Sequence, residues 1–239
     1  MNKSYDTVFL DVDRTLLWID VDLAGYVEGV SPYSANGPLT VEQAAGPVGE
    51  ARRTHVQHNI NYRTHEELEG FMYESQLSIA RTLGVDAPPG VLTTVSKTRV
   101  RFNPYPETAR VLEELRELGL KLYMVSNWLY VVSNWDILLE EVIEGLGWTC
   151  YFDGVLASRV VGIEKPDSGI FEEALRVSGS RRERVVHVGN DPVADVKGAS
   201  SCGIDAVLVN RDGRAEAPEA VAVVPDLSGL PAWIGGRDV

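Results

Sequence analysis

The sequence predicts an α/β fold: a mostly parallel sheet with helices on both faces, and a helical segment inserted after the first strand. Three observations predict it. Short apolar runs alternate with amphipathic helical patterns, the β-α-β-α rhythm of parallel sheets. Polar residues follow several of these runs, at the strand ends where open α/β sheets bind ligands. Residues from about Trp18 to Phe102 break the rhythm and carry no strong strand run.

The elements follow in order. Thr7 to Leu10 contains the apolar run Val8-Phe9-Leu10, bounded by charge, and reads as a buried parallel strand. The inserted segment opens with a Gly/Pro-rich stretch, Ser31 to Pro47, and continues with helix-like patterns from Gly49 to Leu83. Pro104 and Pro106 mark the return to the sheet. The expected division is therefore a core of residues 1–17 and 103–239, with residues 18–102 as a helical cap. Glu107 to Leu118 is helical, with Val111, Leu112, Leu115 and Leu118 on one face and Gly119 as its stop. Leu120 to Val125 is a strand, Asp136 to Leu146 a helix stopped by Gly147, and Val155 to Ala157 a short strand. Asp167 to Val177 is a helix with Phe171, Ala174 and Leu175 inward. Arg184 to Val188 is a strand, Val193 to Cys202 a short helix stopped by Gly203, and Ala206 to Val209 and Val221 to Val224 are the last strands.

One irregularity is a tandem repeat: Leu122-Tyr-Met-Val-Ser-Asn-Trp128 is followed at once by Leu129-Tyr-Val-Val-Ser-Asn-Trp135. Seven residues are too few for a solenoid unit. The first copy is the better strand, because it lies directly after the helix stop at Gly119.

Composition excludes several classes. The 239 residues carry a formal net charge of −13, which argues against a general nucleic-acid or anionic-membrane surface. No apolar run approaches the roughly 18 residues of a membrane span. No basic start followed by an apolar core marks a signal peptide, so the cytoplasm is the expected location. Cys150 and Cys202 have no metal-site spacing and read as reduced packing residues.

Four strand ends carry candidate chemistry. Asp11 and Asp13 follow the first strand, and residues i and i+2 of an extended segment point the same way. Two carboxylates about 4 Å apart would repel by roughly 4 kcal/mol at an effective dielectric near 20. A bound cation or a shared proton relieves that cost. Ser126-Asn127 follows the next strand, Lys165-Pro166 precedes the helix starting near Asp167, and Gly189-Asn190-Asp191 with Asp195 follows Val-Val-His-Val. His187, inside that last run, reads as a satisfied core residue.

The order of these four sites resembles the haloacid dehalogenase-like superfamily of phosphohydrolases. Asp11-x-Asp13-x-Thr15 matches its first motif, Ser126 the second, Lys165 the third and Gly189 to Asp195 the fourth. The resemblance implies a Rossmann-like three-layer core with an inserted cap, and a Mg²⁺-dependent phosphatase acting on a small phosphorylated metabolite. Asp11 would be the nucleophile, Asp13 the acid and base, and Lys165 the charge that offsets both nucleophile and phosphoryl group. Ser126, Asn127 and Thr15 would contact phosphate, with Ser133 and Asn134 of the second repeat copy as rivals. Magnesium would be held by Asp11, the main-chain carbonyl of Asp13, and Asp191 with Asp195, or by Asn190 as a neutral oxygen.

Two positions depart from the family pattern. Arg14 stands where Gly is usual, and is expected either to pack over Leu17 or to reach towards the cap. Asn190 stands where the family often has Asp, which shifts the expected metal contact to Asp191 and Asp195. Asp13 itself favours phosphatase over dehalogenase, because only an alkoxide leaving group needs a proton. The segment from Trp18 to Val95 contains no Lys, which disfavours a Schiff-base phosphonate hydrolase. Arg52, His55 and Arg63 are candidate cap contacts for an anionic substrate. A monomer or homodimer is expected, and a non-catalytic binding protein, a mutase and a dehalogenase are the rival readings.

Overall fold

The computed structural model describes residues 5–58, 65–127 and 139–236. They divide into two compact units: residues 5–18, 103–127 and 139–236 form one, and residues 19–58 and 65–102 the other.

The first unit is built on a six-stranded sheet. In chain order its strands are β1 (Thr7–Leu10), β4 (Lys121–Ser126), β5 (Gly154–Ala157), β6 (Val185–Gly189), β7 (Asp205–Val209) and β8 (Ala222–Val224). The spatial order is β5-β4-β1-β6-β7-β8, and every pairing is parallel. All four residues of β1 are buried, as a strand covered on both faces requires. Its register aligns Leu10 with Met124 of β4 and with Val188 of β6. The residues that follow these three positions therefore emerge side by side at one sheet edge. The chain leaves β1 towards β4 on one side and reaches β6 on the other, which makes that edge the switch point of the topology.

One face of the sheet packs Phe9, Tyr123, Val125 and Leu156 against α8 (Ser168–Ser178) and α9 (Gly198–Ser201), through Ile170, Phe171, Ala174 and Ala199. Helix α8 starts where the Asp167 carboxylate accepts the Gly169 N–H, and stops at Gly179 in the left-handed region. Helix α5 (Thr108–Glu117) packs on β4, with Val111, Leu112 and Leu115 buried, and also meets α10 (Leu230–Gly235). Two short helices remain, α6 (Leu139–Gly145) and α7 (Ser158–Val161). The first copy of the tandem repeat supplies β4, whereas Ser133 and Asn134 lie outside the described residues.

The second unit holds α1 (Leu23–Val30), α2 (Val41–His58), α3 (His65–Leu83) and α4 (Pro89–Thr98), gathered around Tyr26, Val30, Val48, Ile79 and Leu92. Its two connections to the sheet unit run as β2 (Leu17–Val21) and β3 (Val100–Pro104), which pair into a two-stranded sheet. The sequence shows no apolar run there, but β2 alternates buried and exposed side chains, the half-buried strand pattern. Helix α2 also begins inside the stretch read as Gly/Pro-rich. Thr40 and Gln43 form a reciprocal capping box that starts it, and it continues through Pro47. The side chains of Arg52 and His55, and all of Arg63, lie outside the described residues.

Candidate functional site

Asp11 is the first residue after β1, 6% exposed, with its N–H bonded to the Val188 carbonyl of β6. Its Oδ1 accepts hydrogen bonds from Lys165 Nζ at 2.7 Å and Ser126 Oγ at 3.2 Å, and its Oδ2 accepts from Thr15 Oγ1 at 3.2 Å. Ser126 reaches it from the end of β4, and Thr15 from the turn after β1. Thr15 Oγ1 also lies 3.5 Å from Asn190 Oδ1, at the end of β6. The parallel register thus brings Asp11, Thr15, Ser126 and Asn190 together, and Lys165, expected at a strand end, joins them instead from the loop between α7 and α8.

Lys165 is 3% exposed and makes three contacts with Nζ: Asp11 Oδ1, Asp195 Oδ1 at 2.6 Å and the Val125 carbonyl at 2.9 Å. Asn127 fixes its backbone from both sides. Asn127 Oδ1 accepts the Lys165 N–H at 2.7 Å, and Nδ2 donates to the Lys165 carbonyl at 2.8 Å. The Asn127 side chain, expected on phosphate, is therefore engaged in holding the lysine.

Asp195 is also buried, with both oxygens occupied. Oδ1 takes Lys165 and the His187 Nε2–H at 3.0 Å, and Oδ2 accepts the Asp191 N–H at 2.9 Å. Gly189 is required beside it, because a Cβ at that position would overlap the Asp195 carboxylate. Asp191 caps the following π-type turn, Pro192–Lys197, its Oδ1 accepting the N–H groups of Val193 and Ala194, both at 2.8 Å. The carboxylates of Asp191 and Asp195, expected on the metal, are engaged in these hydrogen bonds. Asn190 is the fourth-motif side chain whose oxygen approaches Asp11 through Thr15.

Electrostatics follow from burial and charge count. One ammonium serves two buried carboxylates, so the cluster carries one excess negative charge. Burial raises Asp11 to about 6, against the pull of Lys165 and helped by repulsion from Asp195. Burial works in the same direction on Asp195, but Lys165 and His187 outweigh it and hold that carboxyl well below the usual range. Burial pulls Lys165 down, and the two carboxylates more than reverse this, keeping it charged. Burial lowers His187, so the imidazole is neutral at pH 7. The strand position that reads as core is thus a donor that orients Asp195.

Asp13 is half-buried on the same turn, close enough to Tyr105 to contribute to its raised phenol, which burial dominates. The turn itself is held by residues that no sequence pattern singles out. Thr108 Oγ1 donates to the Leu16 carbonyl at 2.6 Å. Arg211, just beyond β7, donates to the carbonyls of Arg14 at 3.2 Å and Thr15 at 2.8 Å.

A divalent cation suits this donor set. The excess negative charge, the Asp11 carboxylate, the Asn190 amide oxygen and the Asp13 carbonyl supply few protein oxygens. That is the habit of Mg²⁺, which keeps several waters and shares a substrate phosphate. Among the described residues no group of three or more His, Cys, Asp or Glu side chains forms a closed metal cage.

A parallel sheet with a carboxylate nucleophile candidate locked against a buried lysine at its switch point defines a Rossmann-like hydrolase. The chain belongs to the haloacid dehalogenase-like hydrolases, whose family model matches residues 5–203. A glyceraldehyde 3-phosphate phosphatase of Methanothermobacter thermautotrophicus is 32% identical over 214 residues, covering 86% of this chain and 85% of that protein. A phosphoserine phosphatase of Thermus thermophilus is 39% identical over 131 residues, covering 55% of this chain and 49% of the relative. In fold, the chain is similar to a haloacid dehalogenase-like phosphatase of Thermococcus onnurineus, with a TM-score of 0.58, 23% identity, and coverage of 98% and 100% of the two chains. It is also similar to the L-2-haloacid dehalogenase RSc1362, with a TM-score of 0.64, 20% identity, and coverage of 97% and 99%.

Proposed function

We propose that this phosphatase hydrolyses a small phosphomonoester in two displacements at phosphorus, through an aspartyl-phosphate on Asp11. In the first, Asp11 Oδ2 attacks phosphorus, the ester P–O bond breaks, and Asp13 protonates the departing alkoxide. In the second, Asp13 takes a proton from water, the water oxygen attacks phosphorus, and Asp11 leaves as carboxylate with release of inorganic phosphate. Lys165 holds Asp11 Oδ1, which leaves Oδ2 as the attacking oxygen, and its charge offsets the anionic phosphoryl group. Ser126 and Thr15, already on the Asp11 carboxylate, are the hydroxyls nearest to incoming phosphoryl oxygens.

Asp11, Asn190 and the Asp13 carbonyl would hold Mg²⁺. When bound, the cation neutralises phosphate charge that the buried carboxylates would otherwise repel. The observation that carries the proposal is Asp11 itself. It is buried, held on one oxygen by a charged lysine, and placed at the switch point of a parallel sheet.

Relatives named for glyceraldehyde 3-phosphate and phosphoserine support a small phosphorylated metabolite as substrate. The helical unit, inserted between β1 and α5, is proposed as a cap that excludes water and selects that substrate.

The test is hydrolysis of p-nitrophenyl phosphate with and without Mg²⁺, by wild type and Asp11→Asn. Metal-dependent turnover that the substitution abolishes supports the proposal. Equal turnover by Asp11→Asn overturns it.

A further inference from the structure

A cavity of about 520 Å³ in the sheet unit is lined by Arg14 of the turn after β1, by Asn190, and by the segment beyond β7 that carries Arg211 and Arg214. It adjoins the nucleophile: Asn190 Oδ1 is 3.5 Å from Thr15 Oγ1, which bonds to Asp11 Oδ2.

Arg14 has φ +61°, and is the one non-glycine residue with positive φ among the described residues. A side chain with a Cβ is disfavoured there, so the conformation must be held from outside. It is held by the Arg14 N–H to the Leu17 carbonyl at 2.6 Å and by Arg211, which donates to the carbonyls of Arg14 and Thr15. Arg211 is itself fixed, stacked 3.4 Å from the Tyr105 ring centroid and paired with Glu107 at 2.8 Å. Glu107 matches the charge of Arg211. Neither Arg14 nor Arg214 pairs with a carboxylate among the described residues, in a chain with 35 acidic and 22 basic residues.

Two carboxylates also line the cavity, and they narrow the ligand class. Asp191 turns Oδ1 to the amides of its own turn, and Asp212 accepts the Arg214 N–H at 3.1 Å. Arg14 and Arg214 only balance these two acids, so the cavity has no surplus positive charge to offset the heavier desolvation of a phosphate dianion. A carboxylate carries one charge, has the planar shape that a guanidinium fork matches, and costs less to desolvate.

We infer that this cavity is a subsite for a carboxylate on the substrate, held by Arg14 and Arg214, so that the enzyme prefers short phosphorylated carboxylic acids. Arg211 is a positioning residue that fixes the turn presenting Arg14. The inference rests on the phosphatase reading above and specifies its substrate class.

The matched probes are 3-phosphoglycerate and glycerol 3-phosphate, which differ only by a carboxylate or a hydroxymethyl group at the far carbon. With Mg²⁺ present, wild type should favour 3-phosphoglycerate by at least about tenfold in kcat/KM. Arg214→Gln should bring the ratio to within about twofold of unity. Arg14→Gly should lower the ratio as well, with Tm held or raised, because glycine suits the left-handed turn. A merely structural Arg14 would leave the ratio unchanged, whatever the Tm.

A wild-type ratio near unity, or a ratio that both variants preserve, overturns the subsite. Turnover of p-nitrophenyl phosphate without any carboxylate preference overturns the subsite alone. Absence of Mg²⁺-dependent turnover on all three compounds overturns the phosphatase reading together with it.

Discussion

Replacing Asp11 by Asn should make the protein more stable at alkaline pH while removing its activity. The folded chain holds Asp11 at about 6 against an ordinary value of 3.8, so ionised Asp11 opposes folding by about 3 kcal/mol at pH 8. The sign is fixed by the direction of the shift. The folded value exceeds the unfolded one, so the stability is intact below about pH 4 and is lost as the pH rises through about 6. Asn carries no charge to bury. Lys165 keeps Asp195 and the Val125 carbonyl as partners, and its attraction for Asp11 is already contained in the net shift. The expected gain for Asp11→Asn is about 2–3 kcal/mol at pH 8, shrinking to nothing at pH 4. Urea unfolding followed by circular dichroism in EDTA, at both pH values, measures it. A variant less stable than wild type at pH 8 would refute the claim that the cluster carries an uncompensated negative charge.

Three further outcomes follow from the same geometry. Lys165→Met should abolish turnover and cost about 3–5 kcal/mol in urea unfolding, because it leaves two buried carboxylates facing each other. Asn190→Ala should raise the Mg²⁺ concentration for half-maximal activity by at least about tenfold, whereas Asp191→Ala should leave it unchanged and cost about 1 kcal/mol of stability as a lost cap. Tyr26→Phe should stabilise the helical unit by about 1 kcal/mol, read as a raised Tm, since the buried phenol has no hydrogen-bond partner among the described residues.

The sheet was readable because a strand buried on both faces reads as a nearly continuous apolar run, as β1, β4 and β6 do apart from Thr7, Lys121, Ser126 and His187. Strands β2 and β3 were not: five residues of β2 leave only a weak alternation, and Val100–Pro104 of β3 carries Arg101, Asn103 and Pro104 in place of an apolar run. The start of α2 was hidden by Gly46 and Pro47, whose cost as helix breakers outweighs, in the sequence, the Thr40–Gln43 capping box.

At the site, Asp11 and Ser126 could be placed together because parallel register puts strand ends at one edge, whereas Lys165 comes from the loop after α7. The roles of Asn127, Asp191 and Asp195 could not. Each depends on which backbone amide or side chain comes within hydrogen-bond reach, and a carboxylate that caps a turn looks the same in sequence as one that faces a metal. Arg211 left no signal at all. It acts on carbonyls 196 and 197 residues away in the chain, and its neighbours resemble an ordinary polar loop.

The most direct test of the account is to catch phosphate on Asp11. With p-nitrophenyl phosphate, whose leaving group needs no proton, Asp13→Asn should still form the aspartyl-phosphate but slow its hydrolysis, so that borohydride added during turnover reduces it to homoserine. Peptide mass spectrometry should then find homoserine at position 11 and nowhere else. Continued turnover with position 11 unaltered, or homoserine at another aspartate, would contradict Asp11 as the nucleophile.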